Sequence, residues 1–211
     1  LKKFWPKNAP NISQVPKYIN KYKKERIVIK CGGKVLIDSD LFNKFIEDVA
    51  ILYKLGLTVI IVHGGGPRIK IELAKLNVES RFINGLRVTN EQTMRVVEKA
   101  LVDFNSEIIE KLVKKKCKAD GLNVSQNNIF IVEQESRDLG FVGRPKRILN
   151  EKIQAIIDLQ QIPVISPMGK DEEGEKYNIN ADTAAAAIAK SLKSRRLLLM
   201  TDVAGVYDKN K

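Results

Sequence analysis

Lys30 stands at the end of an apolar run, Ile27-Val28-Ile29, and is followed by Cys31 and the pair Gly32-Gly33. A second run, Val59-Ile60-Ile61-Val62, leads through His63 into Gly64-Gly65-Gly66 and Pro67. Glycines at such turns let backbone N–H groups face open space, where they bind anions. The second turn also feeds a helical pattern, whose N-terminal partial positive charge favours a phosphate or carboxylate. Two N–H cradles and a lysine suit a phosphoryl group in transfer, where catalysis is mostly positioning and charge neutralisation. A Walker-type phosphate loop is excluded, because Gly33-Lys34 is followed by Val35 rather than Ser or Thr and the preceding glycine spacing fails.

Three further groups could act on a small anion. Arg87 lies in Asn84-Gly85-Leu86-Arg87-Val88-Thr89, ahead of a helical pattern, where a guanidinium could clamp a carboxylate through two hydrogen bonds. Asn178-Ile179-Asn180-Ala181-Asp182 precedes an alanine-rich helix. Asn and Asp are natural helix caps, but capping alone does not require both asparagines. That leaves Asn178 for substrate and Asp182 to orient a lysine. His63, the only histidine, reads as a packed strand-end residue rather than a catalyst. Cys31 and Cys117 form no metal or redox motif, no metal site is expected, and a reduced cytoplasm is the simplest setting.

Positioning these residues takes alternating strands and helices. Strands are expected at 27–30, 57–62, 129–132, around 141–148, at 162–166 and at 197–201, the last read as buried. Helical periodicity covers 41–55, 67–76, a long segment from 89, 150–159 and 181–192. Thr89-Asn90-Glu91-Gln92 resembles a capping box opening the long helix. Lys114-Lys115-Lys116 falls where that helix should end, complementing its dipole. The pattern implies an α/β fold with a mostly parallel central sheet sandwiched by helices. Residues 1–25 read as an N-terminal extension with a short amphipathic stretch, Ile12 to Tyr22. Residues 26–194 read as one domain, and 195–211 as the start of a second, incomplete one.

The 211 residues carry a net charge of +12. Nucleic acid is not the expected partner, because no aromatic-basic interleaving accompanies the charge. An acidic substrate uses it better. No apolar run reaches membrane-spanning length, and the basic N-terminus has no apolar core of a secretory signal. The glycosylation patterns at Asn11 and Asn123 are therefore attributed to chance.

Taken together, these segments resemble the amino-acid kinase family. The matching pieces are Ile29-Lys30-Cys31-Gly32-Gly33, Val62-His63-Gly64-Gly65-Gly66-Pro67, the Arg87 segment, Leu139-Gly140-Phe141-Val142-Gly143, Tyr177-Asn178-Ile179-Asn180-Ala181-Asp182 and Thr201-Asp202-Val203-Ala204-Gly205-Val206. The Arg87 and Asn178–Asp182 segments favour the branch acting on N-acetyl-L-glutamate over those acting on aspartate, glutamate, carbamate or uridylate.

The resemblance implies ATP-dependent phosphorylation of the γ-carboxylate of N-acetyl-L-glutamate, in arginine biosynthesis, with Mg2+ accompanying the nucleotide. It implies that Lys30 stabilises the transferring phosphoryl group and that Asp182 organises the active-site lysine. Gly32, Gly33 and Gly64 would hold phosphate oxygens. Gly64, Gly65, Gly66, Arg87 and Asn178 would bind substrate. Asp202, Val203, Ala204, Gly205, Val206 and Tyr207 would open the nucleotide loop. A second catalytic lysine and most of the adenine site belong, in the family, beyond the equivalent of Lys211, so the chain is expected to be an incomplete copy with little turnover. The alternatives are a non-catalytic acetylglutamate-binding module or another family member. The stretch from Ile12 to Tyr22 resembles the extra helix of arginine-inhibited, hexameric members, which implies a homo-oligomer, dimeric or hexameric, with arginine feedback. A helix packed on its own domain is the other reading of that stretch.

Overall fold

A computed structural model describes residues 11–23 and 25–201 of the chain. The expected nucleotide loop, Asp202 to Tyr207, and the first ten residues of the N-terminal extension lie outside the described residues. In chain order the elements are α1 (Val15–Tyr22), β1 (Arg26–Cys31), α2 (Ser39–Lys54), β2 (Thr58–His63), α3 (Gly66–Lys75), β3 (Phe82–Ile83), β4 (Leu86–Arg87) and α4 (Glu91–Lys114). They continue with β5 (Ala119–Leu122), β6 (Phe130–Gln134), β7 (Gly143–Ile148), α5 (Asn150–Asp158), β8 (Ile162–Ile165), β9 (Met168–Lys170), β10 (Lys176–Asn178), α6 (Ala181–Ser191) and β11 (Arg196–Met200).

Five strands form one wholly parallel sheet in the order β11-β1-β2-β8-β5. Strand alternation divides its core in two. Ile27, Ile29, Val59 and Ile61 face α2 and α4, meeting Phe42, Phe45, Phe104 and Ile108. Val28, Ile60 and Val62 face the other way, onto α5 and α6 through Ile153, Ala184, Ala185 and Ile188. The alanines of α6 let its backbone lie close to the sheet. The same parity sends Lys30, the penultimate residue of β1, and His63, the last of β2, in opposite directions. Lys30 follows Val28 toward α6, while His63 follows Val59 and Ile61 toward α4.

A second sheet, β10-β9-β6-β7, covers part of the α6 side. It mixes antiparallel pairs, β6 with β7 and β9 with β10, with one parallel contact. Its β9–β10 hairpin, like β5 in the main sheet and the β3–β4 hairpin, has no counterpart in the strands expected from sequence.

Two expectations need correction. The strand at 196–200 is not buried: among the described residues β11 is a sheet edge paired with β1 alone, and Leu198 and Leu199 are 44% and 47% exposed. Its apolar run marks it as a strand but cannot say whether anything covers it. Nor does a capping box open α4. Asn90 is the cap, its side chain accepting from the Thr93 N–H at 2.8 Å, and Thr89 is buried beneath it with its hydroxyl donating to the Arg87 carbonyl. Among the described residues, no helix is long and apolar enough to cross a membrane.

Candidate active site

A cavity of about 240 Å³ opens at the carboxyl ends of β1 and β2, where open α/β sheets bind ligands. Lys30, Gly32, Gly33, Gly64, Gly65, Gly66, Arg87, Asn178 and Asp182 all line it. The structure thus brings together every candidate substrate- and phosphate-site residue that lies among the described residues. Two helices, α3 and α6, begin at its wall, so two positive dipole ends converge there.

Lys30 is buried to within 8% of full enclosure, and its Nζ lies 3.0 Å from Asp182 Oδ1 at the first turn of α6. A Cβ at Gly32 would collide with the Lys30 ammonium, so the bare backbone leaves the lysine its path to the cavity. Gly65 is confined on its other side. A Cβ there would stand 2.5 Å from Leu101 Cδ2 and 3.1 Å from Ile69 Cδ1, so only glycine lets the turn settle onto α4.

Arg87 reaches the cavity from the β3–β4 hairpin, whose turn residues Asn84 and Gly85 have φ of 50° and 78°. Its guanidinium lies 4.7 Å over the Phe82 ring, and Nη2 donates to the Gly66 carbonyl at 3.2 Å. Nη1 is buried with no partner. Burial lowers the Arg87 pKa, a measure of how poorly this cation is solvated. A buried guanidinium with an unused N–H group and no ion pair among the described residues is a receptor for an anion.

The asparagines divide the work left open by the sequence. Asn180 caps α6, its Oδ1 accepting from the N–H groups of Asp182 and Thr183 at 2.9 and 3.0 Å. Asn178 ends β10, its backbone N–H donates to the Phe141 carbonyl, and it lines the cavity with no side-chain hydrogen bond among the described residues. The asparagine of the other glycosylation-like pattern, Asn123, is buried, with its side chain accepting from the N–H groups of Ser125 and Gln126.

His63 lies wholly inside, outside the cavity lining. Burial pushes its pKa down to about 4, helped by the charge of Arg68 and opposed by its bond to the Gly64 carbonyl. Burial likewise pushes the Cys31 thiol up to about 12, far from a reactive thiolate. A larger groove of about 780 Å³ runs between α3 and α4. Three of its four lining cations are already matched: Arg68 to Glu107 at 2.6 Å, Lys75 to Glu72 at 2.7 Å and Lys99 to Asp103 at 2.5 Å, with Arg95 the fourth. The buried, unpartnered guanidinium nitrogen, Arg87 Nη1, belongs to the smaller cavity.

The profile of the amino acid kinase family matches residues 25–211. The chain belongs to the amino acid kinase family. Phosphoryl transfer is therefore its chemistry. An acetylglutamate kinase of Pelagibacter ubique (strain HTCC1062) is 52% identical over 206 residues, covering 98% of this chain and 72% of its own length. An acetylglutamate kinase of Caldicellulosiruptor saccharolyticus is 45% identical, covering 92% of this chain and 69% of its own length. Among solved structures, the Streptococcus mutans UA159 protein smu.665 superposes with a TM-score of 0.78 at 32% identity, over 87% of this chain and 75% of its own. The N-acetylglutamate synthase of Neisseria gonorrhoeae, solved with coenzyme A and N-acetyl-glutamate, shares the fold with a TM-score of 0.81 at 19% identity, over 96% of this chain and 48% of its own.

Within this amino acid kinase site, sequence reasoning missed Phe82 and Leu101. Phe82 could have been found, because Asn84-Gly85 is a strong two-residue hairpin signal and a hairpin sets Phe82 opposite Arg87. Leu101 carries no such mark. It sits on an ordinary apolar helix face and touches the site only through the tertiary approach of α4 to Gly65.

Proposed function

We propose that the chain is an acetylglutamate kinase, phosphorylating the γ-carboxylate of N-acetyl-L-glutamate with ATP. The observation that carries the reading is the unpartnered Nη1 of buried Arg87, in one small cavity with the Lys30 ammonium. A dicarboxylate substrate answers both. Its α-carboxylate pairs with Arg87, its N-acetyl and carboxylate groups have the Asn178 amide beside them, and its γ-carboxylate points to Lys30. The names of the relatives support the same substrate.

ATP, with Mg2+ on its phosphates, supplies the phosphoryl group. The described residues fit that group at one end. Lys30 and the N–H groups of the Gly32–Gly33 turn and of Gly65 and Gly66 offer a cationic and donor-rich wall, whereas the Gly64 N–H, expected to hold a phosphate oxygen, is already donated to the Cys31 carbonyl at 2.7 Å. An oxygen of the γ-carboxylate forms the new bond to phosphorus as the bond to the ADP oxygen breaks. A carboxylate is already anionic, so no general base is needed. Lys30 neutralises charge on the transferring oxygens, and Asp182 holds Lys30 in place. Mg2+ is held chiefly by nucleotide phosphates in such sites. Among the described residues, no group of three or more His, Cys, Asp and Glu side chains could hold a metal by itself.

The same reading assigns residues 26–194 to substrate binding and 195–211, including the loop Asp202 to Tyr207, to the start of the nucleotide domain, in a cytoplasmic enzyme. Apolar positions on α1 with none of its residues buried support a homo-oligomer joined through that helix, and the resemblance of Ile12 to Tyr22 is what supports arginine feedback.

Calorimetric titration tests the substrate. N-acetyl-L-glutamate is expected to bind, and L-glutamate, whose free ammonium would face the Arg87 side of the cavity, to bind at least about tenfold more weakly. Equal affinity for the two, or no binding of either, would sink the assignment.

A further inference from the structure

The Gly64–Gly66 turn is held from behind by a chain of buried hydrogen bonds that starts on β8, the strand beside β2. Asn105, on α4, places its Nδ2 2.9 Å from the Val164 carbonyl of β8 and 3.1 Å from His63 Nε2. His63 Nδ1 lies 3.0 Å from the Gly64 carbonyl. The direction of every bond follows from the two ends. A carbonyl only accepts, so the group facing Val164 is the Asn105 amide NH2, and its other hydrogen points to His63. Nε2 must then be the bare nitrogen, and Nδ1 carries the proton that it donates to Gly64. The ring is kept in place by the edge contact of Phe104, with centroids 5.2 Å apart, and Phe104 is itself capped by the Arg68 guanidinium at 4.0 Å.

The consequence for the site lies in the peptide joining Gly64 and Gly65. The described chain has no cis peptide bond, and in a trans peptide the carbonyl and the next N–H point in opposite directions. With its carbonyl drawn into the protein by His63, this peptide must turn the Gly65 N–H toward the cavity. The glycine carbonyls further on are held as well, that of Gly65 by the Ile69 N–H and that of Gly66 by Arg87. An unheld glycine turn could flip this peptide and present an oxygen to an anion.

We infer that His63 and Asn105 are positioning residues, which fix the His63 tautomer and through it aim the Gly65 N–H at the bound anion. The inference rests on the acetylglutamate reading of the cavity. Depression of the His63 pKa by burial is consistent with it, since a protonated ring could not accept from Asn105.

His63 is the only histidine in the chain, so nitrogen-15 NMR of the labelled protein observes its imidazole without ambiguity. The expected result is one neutral tautomer with the proton on Nδ1. A proton on Nε2, or two tautomers in exchange, overturns the inference. Asn105→Leu removes the amide while keeping a side chain of similar size. It is expected to release the ring into tautomer exchange and to move the Gly65 amide resonance, and an unmoved resonance counts against the relay.

Calorimetry with N-acetyl-L-glutamate supplies the functional arm. His63→Phe keeps the ring but loses the donor, and is expected to weaken binding about tenfold, while His63→Asn, whose Nδ2 can take the place of Nδ1, restores it to within about threefold. Arg87→Lys is run beside them. If Arg87→Lys weakens binding and His63→Phe does not, the relay is refuted and the site stands. If Arg87→Lys also has no effect, the acetylglutamate reading itself fails, and the positioning role falls with it.

Discussion

Lys30 and Asp182 meet at 3.0 Å although they lie 152 residues apart, one next to last in β1 and the other in the first turn of α6. The pair is lopsided: the Lys30 side chain is 10% exposed and that of Asp182 54%. The lysine is thus enclosed with its counter-ion on the open side of the cavity, where an incoming anion would share it. In a chain extended to the full length of its relatives, Lys30→Ala is expected to lower kcat about a hundred- to a thousandfold, the range for losing one donor to transition-state charge. Asp182→Asn leaves the lysine in reach and should cost less, about ten- to a hundredfold. ADP release measured by a coupled assay reads both. Calorimetric affinity for N-acetyl-L-glutamate should change by less than about fivefold in either variant, since the effect is proposed to fall on the transition state. A large loss of affinity with kcat intact would reduce Lys30 to a binding residue.

Arg87→Lys should act the other way. An ammonium cannot copy the planar fork that reaches Gly66 with one nitrogen and leaves the other for substrate, nor stack as well on Phe82. The expected loss is about 1–3 kcal/mol of acetylglutamate binding, the worth of a charge-assisted hydrogen bond. ATP affinity should stay nearly constant. Reversal of the two effects would mean the substrate and nucleotide ends of the cavity have been exchanged.

The parallel strands and most helices were legible because their apolar periods are strong and glycines punctuate them. The glycine turns, Lys30, Arg87, Asn178 and Asp182 were legible because their residue types are unusual at strand ends and helix starts. What escaped was set by tertiary context. The two-residue strands β3 and β4 are too short for any period, and β9 and β10 nearly so. The exposure of β11 depends on what lies beside it, which an apolar run does not encode. The division between Asn178 and Asn180 depends on where α6 begins, to within a residue, and boundaries are the least certain part of a sequence reading. Asn105 looks like one polar residue on a long helix, and only the approach of α4 to β2 and β8 reveals its partners.

That division of labour predicts a double dissociation. Asn180→Ala removes the cap of α6 and should cost about 1 kcal/mol of stability, with little effect on substrate affinity. Asn178→Ala removes an unpartnered amide from the cavity wall. It should cost about 0.5–1.5 kcal/mol of acetylglutamate binding while leaving stability within about 0.5 kcal/mol. Denaturant melts and calorimetry on the two variants separate the effects, and the opposite pattern would mean that Asn178 supports the fold.

Gly65 and Gly66 should also part company. Gly65→Ala drives a methyl into Leu101 and Ile69 and should destabilise by about 1–3 kcal/mol, as overpacking does. Gly66 has no heavy atom within 4 Å of where its Cβ would stand, so Gly66→Ala should be tolerated in stability. Leu101→Ala in the Gly65→Ala background reopens the space and should recover part of the loss. Equal stability of the two alanine variants would remove the packing explanation for Gly65.

The buried histidine sets a pH window. Its pKa is about 4 in the folded chain against an ordinary 6.5, so between those values the unfolded state binds the extra proton. Stability therefore rises with pH across the window, is fully present above pH 6.5, and is lost as pH falls toward 4. A difference of about 2.5 pH units at 1.36 kcal/mol each amounts to about 3 kcal/mol. Other groups titrate in the same range, so the measurement is a difference. Denaturant unfolding at pH 7 and pH 4.5 is compared in the parent chain and in His63→Asn, which keeps a donor to Gly64 but cannot take up a proton. The parent should lose roughly 2–3 kcal/mol more than the variant on acidification. Parallel losses in the two proteins would mean that His63 takes up its proton in the folded state near its ordinary 6.5, which its enclosure and its bond to Asn105 both oppose.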